Sequence, residues 1–285
     1  MPTVYLNGEY VPLEQAKVSV EDRGFLFGDG IYEVVRLYNG HPFQLDAHLQ
    51  RFVHSADASR LPVLQTVEAL PGIVERLKAE NHLSDGELYI EYTRGSAHPR
   101  THNFPAVVRP TLLVMPLEMR QPSPQMYAEG VPAITLTDLR WRRCDIKSIM
   151  LAPNTMAKQQ AREQGAWEAA FVRDGIVTEG SSTSIFCVLS GQLATHPADT
   201  DILDGITRQA VLACARELGL SVREEAFTAQ QMLGAQEVFL TSTSSEVLAL
   251  TRIDGRPIGS GRPGAITQRL HEAYRKVVAS ALRSS

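Results

Sequence analysis

The sequence predicts a mixed fold, α+β or mixed α/β, arranged as two domains. Short strand-like runs mix with separate helices rather than repeating a regular βαβ unit. The 285 residues, taken at roughly 150 per domain, make about two domains. A stretch holding Pro116, Pro122, Pro124 and Gly130 among polar residues breaks the pattern near the middle. The division expected is an N-terminal α/β domain over residues 1–118, a linker over 119–130 and a C-terminal domain over 131–285. A composition of 44% hydrophobic and 21% charged residues supports a real core and excludes disorder, collagen and disulfide-stapled miniatures.

The first elements are hairpins. Thr3 to Leu6 and Glu9 to Val11 flank Asn7-Gly8, a dipeptide that tolerates the left-handed backbone of a two-residue turn. Ile31 to Tyr38, dense in β-branched and aromatic residues, is followed by Asn39-Gly40 and His41 to Gln44. Asp46 then offers an N-cap to a helix whose apolar stripe is Leu49, Phe52, Val53 and Ala56, with His48, Arg51 and Ser55 on another stripe. A second helix is expected from Val67 to Asn81, and strands at Leu88 to Thr93 and Thr111 to Pro116. Beyond the linker, Ala133 to Thr137 reads as a strand and Asn154 to Gly165 as a helix. Ala169 to Val177 folds at Asp174-Gly175, and Ser184 to Leu189 pairs with Gln192 to His196. A helix opens near Thr207 and stops at Gly219, and Val238 to Leu240 is an apolar strand.

Charge and cysteine usage narrow the function classes. The 28 basic and 32 acidic residues leave a net charge of −4, without the basic footprint of a nucleic-acid binder. Cys144, Cys187 and Cys214 lie far apart, outside any metal or redox spacing, and read as inert thiols. His54, His82 and His196 show no metal-ligand spacing either, so no metal is expected and these three read as solvated or cap residues. The N-terminus carries no signal-like segment and nowhere do 18 apolar residues run together, so a soluble, cytoplasmic protein with no membrane contact is expected.

Four strings could carry chemistry. Lys147 sits between Ile146 and Ser148-Ile149, with Arg142 and Arg143 nearby. Desolvation and positive neighbours would favour a neutral, nucleophilic amine. By residue type alone a solvated lysine is the commoner reading, since Lys is rarely fully buried. Glu179 precedes Gly180 and four hydroxyl residues, either as a bare turn or as a carboxylate balancing a positive charge where backbone approaches a ligand. Leu203-Asp204-Gly205-Ile206-Thr207-Arg208 opens a helix, either ordinarily capped or accepting a phosphate on its free N–H groups. Thr241 to Glu246 is a second hydroxyl-rich loop that could close the same anion cup, with Arg51 as its cation. A nucleophilic lysine, a carboxylate and a phosphate cup are the parts that hold pyridoxal phosphate.

The strings DRGFLFGDGIYEVVRLYNG, RTHNFP, WRRCDIKS, VTEGSSTSIF, LDGITR and FLTSTSSE follow one another in an order and spacing that resembles the fold type IV pyridoxal-phosphate transaminases, and within them the D-amino-acid aminotransferases. The resemblance runs from Tyr5 to about Arg275. It implies a two-domain architecture with the active site between the domains, pyridoxal 5'-phosphate as cofactor, and a homodimer. It further implies that Lys147 forms the Schiff base with the cofactor and moves the substrate proton. Glu179 then pairs with the pyridine nitrogen, and Leu203 packs on the ring. Arg51, Ile206, Thr207, Ser242 and Thr243 hold the phosphate. Arg100 and His102, reaching across the dimer interface, bind the substrate carboxylate with Tyr32, and Glu33 supports that position. The activity implied is transfer of the amino group of a D-amino acid, D-alanine first, to a 2-oxo acid such as 2-oxoglutarate, with ping-pong kinetics. Rivals of the same fold are a branched-chain L-amino-acid transaminase, an (R)-amine transaminase and an aminodeoxychorismate lyase. A rival of another class is a non-catalytic phosphate-ligand binding protein, for which Lys147 and Glu179 would be superfluous.

Overall fold

The computed structural model describes residues 1–119 and 121–283, and has the mixed α+β class expected. Arg120, inside the expected linker, and Ser284 and Ser285, at the end of the expected C-terminal domain, lie outside the described residues. The chain forms two compact units. One holds Met1–Met119 together with the short strip Ile146–Met150, and the other holds residues 121–145 and 151–283. Lys147, placed by the sequence in the C-terminal part, is thus carried on a strip that joins the first unit.

The first unit runs β1 (Thr3–Leu6), β2 (Glu9–Pro12), α1 (Arg23–Phe27), β3 (Gly30–Tyr38), β4 (His41–Pro42), α2 (Leu45–Ala58), α3 (Leu64–Glu80), β5 (Gly86–Thr93) and β6 (Thr111–Leu117). Its six strands form one sheet in the order β2-β1-β6-β5-β3-β4, antiparallel throughout. Asn7 and Gly8 both take positive φ, 50° and 102°, which lets Leu6 pair with Glu9 across a two-residue turn. The stripe Leu49, Phe52 and Ala56 of α2 packs with Ile31 and Val35 of β3, Ile90 and Tyr92 of β5 and Leu70, Ile73 and Leu77 of α3. Burial of such side chains contributes about 1.5–3 kcal/mol each, which fixes the face α2 turns to the sheet. Asp46 does not cap α2. The N-cap is Gln44 in the left-handed region at φ 55°, and Asp46 lies in the first helical turn, where its charge complements the helix dipole.

The second unit runs α4 (Pro124–Glu129), β7 (Val131–Thr137), α5 (Ala152–Glu163), β8 (Glu168–Arg173), β9 (Ile176–Gly180), β10 (Ser184–Leu189), β11 (Gln192–Thr195), α6 (Ile206–Glu217), β12 (Val222–Glu224), α7 (Ala229–Leu233), β13 (Glu237–Ser242), β14 (Glu246–Ile253), β15 (Arg256–Pro257) and α8 (Ala265–Ala281). Its nine-stranded sheet runs β12-β11-β10-β13-β14-β7-β8-β9, with β15 paired to β14. The β11–β12, β14–β7 and β7–β8 pairs are parallel. The expected linker is not structureless: Pro124 occupies the first turn of α4, where its missing N–H costs nothing, and Ser123 caps the helix by accepting from the Met126 N–H at 3.3 Å. The loop expected from Thr241 to Glu246 is also shorter, since Thr241 and Ser242 end β13 and Glu246 begins β14.

Candidate active site

The strip bearing Lys147 extends the edge of β3. The Tyr32 N–H donates to the Lys147 carbonyl at 3.0 Å, the Ile149 N–H donates to the Gly30 carbonyl at 3.1 Å, and Ile31 and Ser148 form an antiparallel bridge. Gly30 is required there, because a Cβ would meet Ile149 Cδ1 and the Tyr92 carbonyl, both at 2.9 Å. The Lys147 N–H donates in turn to the Ser55 hydroxyl of α2 at 3.0 Å, and Ile146 is buried in the core with Ile31 and Phe52. The lysine backbone is therefore fixed on both sides, and its Nζ stands 4.2 Å from the centre of the Tyr32 ring. Arg142 and Arg143, the cations near it in sequence, each have an acidic partner of their own. They pair with Asp174 at 3.4 Å and Asp145 at 2.9 Å, and both are exposed.

One residue beyond Tyr32, on the opposite face of β3, Glu33 is fully buried and receives both Nε and Nη2 of Arg51 at 2.8 Å. His48 Nδ1 lies 2.7 Å from Oε2, the oxygen that also takes Arg51 Nη2. Burial pushes the Glu33 carboxyl up, but Arg51 and then His48 more than offset this and hold it at about 2. Because an ionised carboxylate only accepts, His48 must donate from Nδ1. Burial, despite the opposing pull of Glu33, lowers the pKa of His48 and favours its neutral ring. Sequence reasoning assigned Arg51 and Glu33 but missed His48 and Ser55. The signal was present: His48, Arg51 and Ser55 recur at spacings of three and four on one helix face.

Arg100 and His102 lie in the loop before β6 and are both exposed. The structure brings them to one ring: Arg100 Cζ is 4.5 Å from the centre of Phe27, and the His102 ring is 5.5 Å from it. Tyr32 meets Lys147 and the Tyr89 ring instead, the latter at 5.6 Å.

In the second unit Glu179 lies near the end of β9 and is 6% exposed. One carboxylate oxygen takes Nη1 of Arg140 and the other takes the Leu203 N–H at 3.1 Å. Arg140 is shared: its Nε and Nη2 clamp Asp138 at 2.9 and 2.8 Å, and the Thr178 hydroxyl donates to the same aspartate at 2.9 Å. Burial raises the Glu179 carboxyl above its ordinary value, and Arg140, its charge divided with Asp138, does not bring it back. Arg140 went unassigned in the sequence, although Asp138 and Arg140, two apart as β7 ends, fall on one side of an extended chain. The glycine and hydroxyls after Glu179 serve the protein itself. A Cβ at Gly180 would meet Thr183 Oγ1 at 2.0 Å, and the hydroxyls of Ser181 and Thr183 both donate to buried Glu168.

The start of α6 is the anion-binding candidate. Its N-cap is Gly205, with no side-chain cap, and Ile206, Thr207 and Arg208 are all buried. A buried helix end without a cap is the donor arrangement that an anion completes, and so it fits a phosphate. A Cβ at Gly205 would press on Ser184 Oγ at 2.9 Å. Ser242 Oγ accepts from the Ser245 N–H at 3.0 Å, which closes the turn holding Thr243, and the Thr241 hydroxyl is buried without a partner among the described residues. Among the described residues no cluster suited to a metal occurs. All three cysteines are free and buried. His196 is not solvated but buried, with Nδ1 3.0 Å from the Pro197 carbonyl.

Comparison with known proteins is consistent across the chain. D-alanine aminotransferase of Staphylococcus epidermidis is 42% identical over 281 residues, covering 98% of this chain and 99% of the relative. Among solved structures, the branched-chain aminotransferase of the thermophilic archaeon Thermoproteus uzoniensis with norvaline superposes with a TM-score of 0.85 at 30% identity, over 97% of this chain and 94% of that one. A hypothetical aminotransferase from Mycobacterium tuberculosis, in its PLP-bound form, superposes with a TM-score of 0.83 at 26% identity, over 98% of this chain and 99% of that one. The model of the family described as amino-transferase class IV matches residues 30–253, a span that includes β3, the Lys147 strip, Glu179 and the start of α6. On these grounds the chain belongs to the class IV amino-transferases.

Proposed function

We propose that this enzyme is a D-amino-acid transaminase, moving the amino group of D-alanine to a 2-oxo acid such as 2-oxoglutarate with pyridoxal 5'-phosphate as cofactor. The observation that carries the choice of substrate is the convergence of Arg100 and His102 on the Phe27 ring, where a guanidinium fork and an imidazole each meet the same aromatic side chain. A fork of that kind matches a carboxylate. The name of the relative at 42% identity supports the same reading over that of the branched-chain structure, which is less similar in sequence.

The cofactor, when bound, supplies a carbonyl that accepts the amino group and a ring that withdraws electrons. Every other part is this chain's own. Arg100, His102 and the Tyr32 hydroxyl bind the substrate carboxylate, and the side they hold turns the Cα–H bond toward Lys147. The Lys147 amine, anchored through β3 and Ser55, removes and returns the proton at that carbon. Glu179, steadied by Arg140 and the Leu203 N–H, would hold a proton at the ring nitrogen, and the Leu203 side chain would pack on the ring. Arg51, the N–H groups of Ile206 and Thr207, and Ser242 and Thr243 are the groups that would hold the phosphate. The uncapped start of α6 supports that assignment, with an attraction of order 0.3–1 kcal/mol or more from the helix dipole.

A homodimer belongs to the same proposal. Val20 and Phe25 are 76% and 77% exposed, apolar surface that a second copy would cover near the segment bearing Arg100. No described helix is long and apolar enough to cross a membrane, and the cytoplasm is the proposed location. The deciding experiment follows visible cofactor absorbance in a half-reaction panel. D-alanine should bleach it in the wild type, and Lys147→Ala should lose both the bleaching and turnover. Bleaching by L-leucine or (R)-1-phenylethylamine but not by D-alanine would replace this reading with the corresponding rival.

A further inference from the structure

Phe27, the last residue of α1, touches three cationic or aromatic groups at once. Arg100 Cζ stands 4.5 Å from its ring centre, Arg23 Cζ stands 4.8 Å from it, and the His102 ring lies 5.5 Å away at 50°. Core packing does not account for this. Phe27 is half-buried, Arg100 and His102 are exposed, and Phe25, two residues earlier, faces solvent. Arg23 by contrast is 4% exposed and works on the same loop from behind. Its Nε pairs with Asp29 at 2.8 Å, and its Nη groups donate to the carbonyls of Thr101 at 2.8 Å and of His102 and Asn103 at 3.3 Å. One guanidinium thus grips the backbone of the loop while the ring beside it meets the loop's two functional side chains.

The base of this arrangement is firm. Asp22 caps α1 by accepting from the Gly24 N–H at 2.8 Å and takes the hydroxyls of Thr93 and Thr111 at 2.7 and 2.6 Å. Asp29 is held a second time by buried Arg94, whose other nitrogens donate to the carbonyls of Arg60 and Ser59. Gly28, in the left-handed region at φ 69°, ends the helix so that Phe27 closes it. A guanidinium over an aromatic face is attracted by the ring's electrons and loses rotational freedom there before any ligand arrives. An exposed arginine without that contact must be ordered at the moment of binding, which weakens binding.

We propose that Phe27, propped by Arg23, is a positioning residue for carboxylate recognition: its ring pre-orders Arg100 and His102 as a pair. The proposal rests on the reading that Arg100 and His102 bind the substrate carboxylate. It is tested on the holoenzyme by steady-state kinetics with D-alanine and 2-oxoglutarate for the wild type, Phe27→Leu, Phe27→Tyr and Arg100→Ala, with cofactor absorbance recorded for each. Phe27→Leu should raise the KM for D-alanine about three- to tenfold, leave kcat within about twofold and leave the absorbance unchanged. Phe27→Tyr, which keeps the aromatic face, should stay within about twofold of the wild type. Where Phe27→Leu does not fold, Phe27→Met removes the aromatic face with similar volume. An unchanged KM in Phe27→Leu beside a raised KM in Arg100→Ala overturns the proposal and spares the carboxylate reading. A Phe27→Tyr variant as impaired as Phe27→Leu overturns it too. An unchanged KM in Arg100→Ala overturns the carboxylate reading and the proposal with it.

Discussion

Two buried glutamates, one in each unit, face the same problem and solve it differently. Glu33 receives two nitrogens of Arg51 and the ring N–H of His48, and its carboxyl is held at about 2. Glu179 receives one nitrogen of Arg140 and one backbone N–H, while Arg140 gives its Nε–Nη2 edge to Asp138, and burial keeps the carboxyl above its ordinary value. Depth of burial does not separate them, since both are almost wholly removed from water. The difference lies in how much of a guanidinium each has to itself. A permanently ionised Glu33 can only accept, which suits a brace that orients Arg51 and His48. A Glu179 with raised proton affinity suits a group that shares a proton with a ring nitrogen.

The sharpest way to break this contrast is to remove Glu33. Glu33→Ala leaves a buried guanidinium without its main partner and should cost about 3–5 kcal/mol, read from the denaturant midpoint. The pH dependence sets the sign. A depressed carboxyl stabilises the fold above its unfolded value near 4.5, and that contribution disappears as pH falls toward about 2. The stability gap between the wild type and Glu33→Gln should therefore be flat above about pH 5 and shrink by about 3 kcal/mol between there and pH 2. A gap that stays constant in acid would mean that Glu33 is not held low. Glu179 has the opposite sign, since its raised carboxyl favours the fold when protonated and loses that contribution as pH rises through the folded value.

The second effect is on chemistry. In the role proposed for Glu179, Glu179→Gln would no longer keep a proton at the ring nitrogen, so turnover of D-alanine should fall on the order of a hundredfold or more. Asp138 still holds Arg140, so the unfolding midpoint should move far less than in Glu33→Ala. A variant that keeps its turnover, or that unfolds as readily as Glu33→Ala, would erase the distinction between brace and proton holder.

The same contrast explains what the sequence revealed. Elements with a strong period or a turn dipeptide were legible: the hairpin at Asn7-Gly8, the stripe Leu49, Phe52 and Ala56, and the helix after Gly205 all have local causes. The strings around Lys147, Glu179 and Thr207 suggest chemistry by residue type, whereas Arg100 is singled out only by the order of strings that resembles a family. Partnerships across long separations were not legible. Nothing local to Lys147 announces Ser55, 92 residues away, or that the strip Ile146–Met150 extends β3 rather than remaining with the C-terminal part. Arg142 and Arg143 draw notice in the sequence as cations near Lys147, and nothing there distinguishes a partner for Glu179. Arg140, two residues before Arg142, is the one whose geometry reaches Glu179. The helix α4 was hidden by its prolines, because composition alone does not distinguish a proline that opens a helix from one that prevents it.

The smallest effect concerns how the two units hold their reactive groups. Glu179 is oriented largely by a side chain, Arg140, whereas Lys147 is oriented by backbone pairing with β3 and only secondarily by Ser55. Ser55→Ala leaves the Lys147 N–H without its acceptor and should cost about 1 kcal/mol. The bonds from the Tyr32 and Ile149 N–H groups keep the strip in register, so kcat/KM for D-alanine should fall only about two- to fivefold. Both quantities come from one preparation, by denaturant titration and steady-state rates. A loss of rate as large as that of Glu179→Gln would show that the hydroxyl on α2, and not the pairing with β3, sets where the lysine amine stands. Lys147 would then depend on a single side chain in the way Glu179 depends on Arg140.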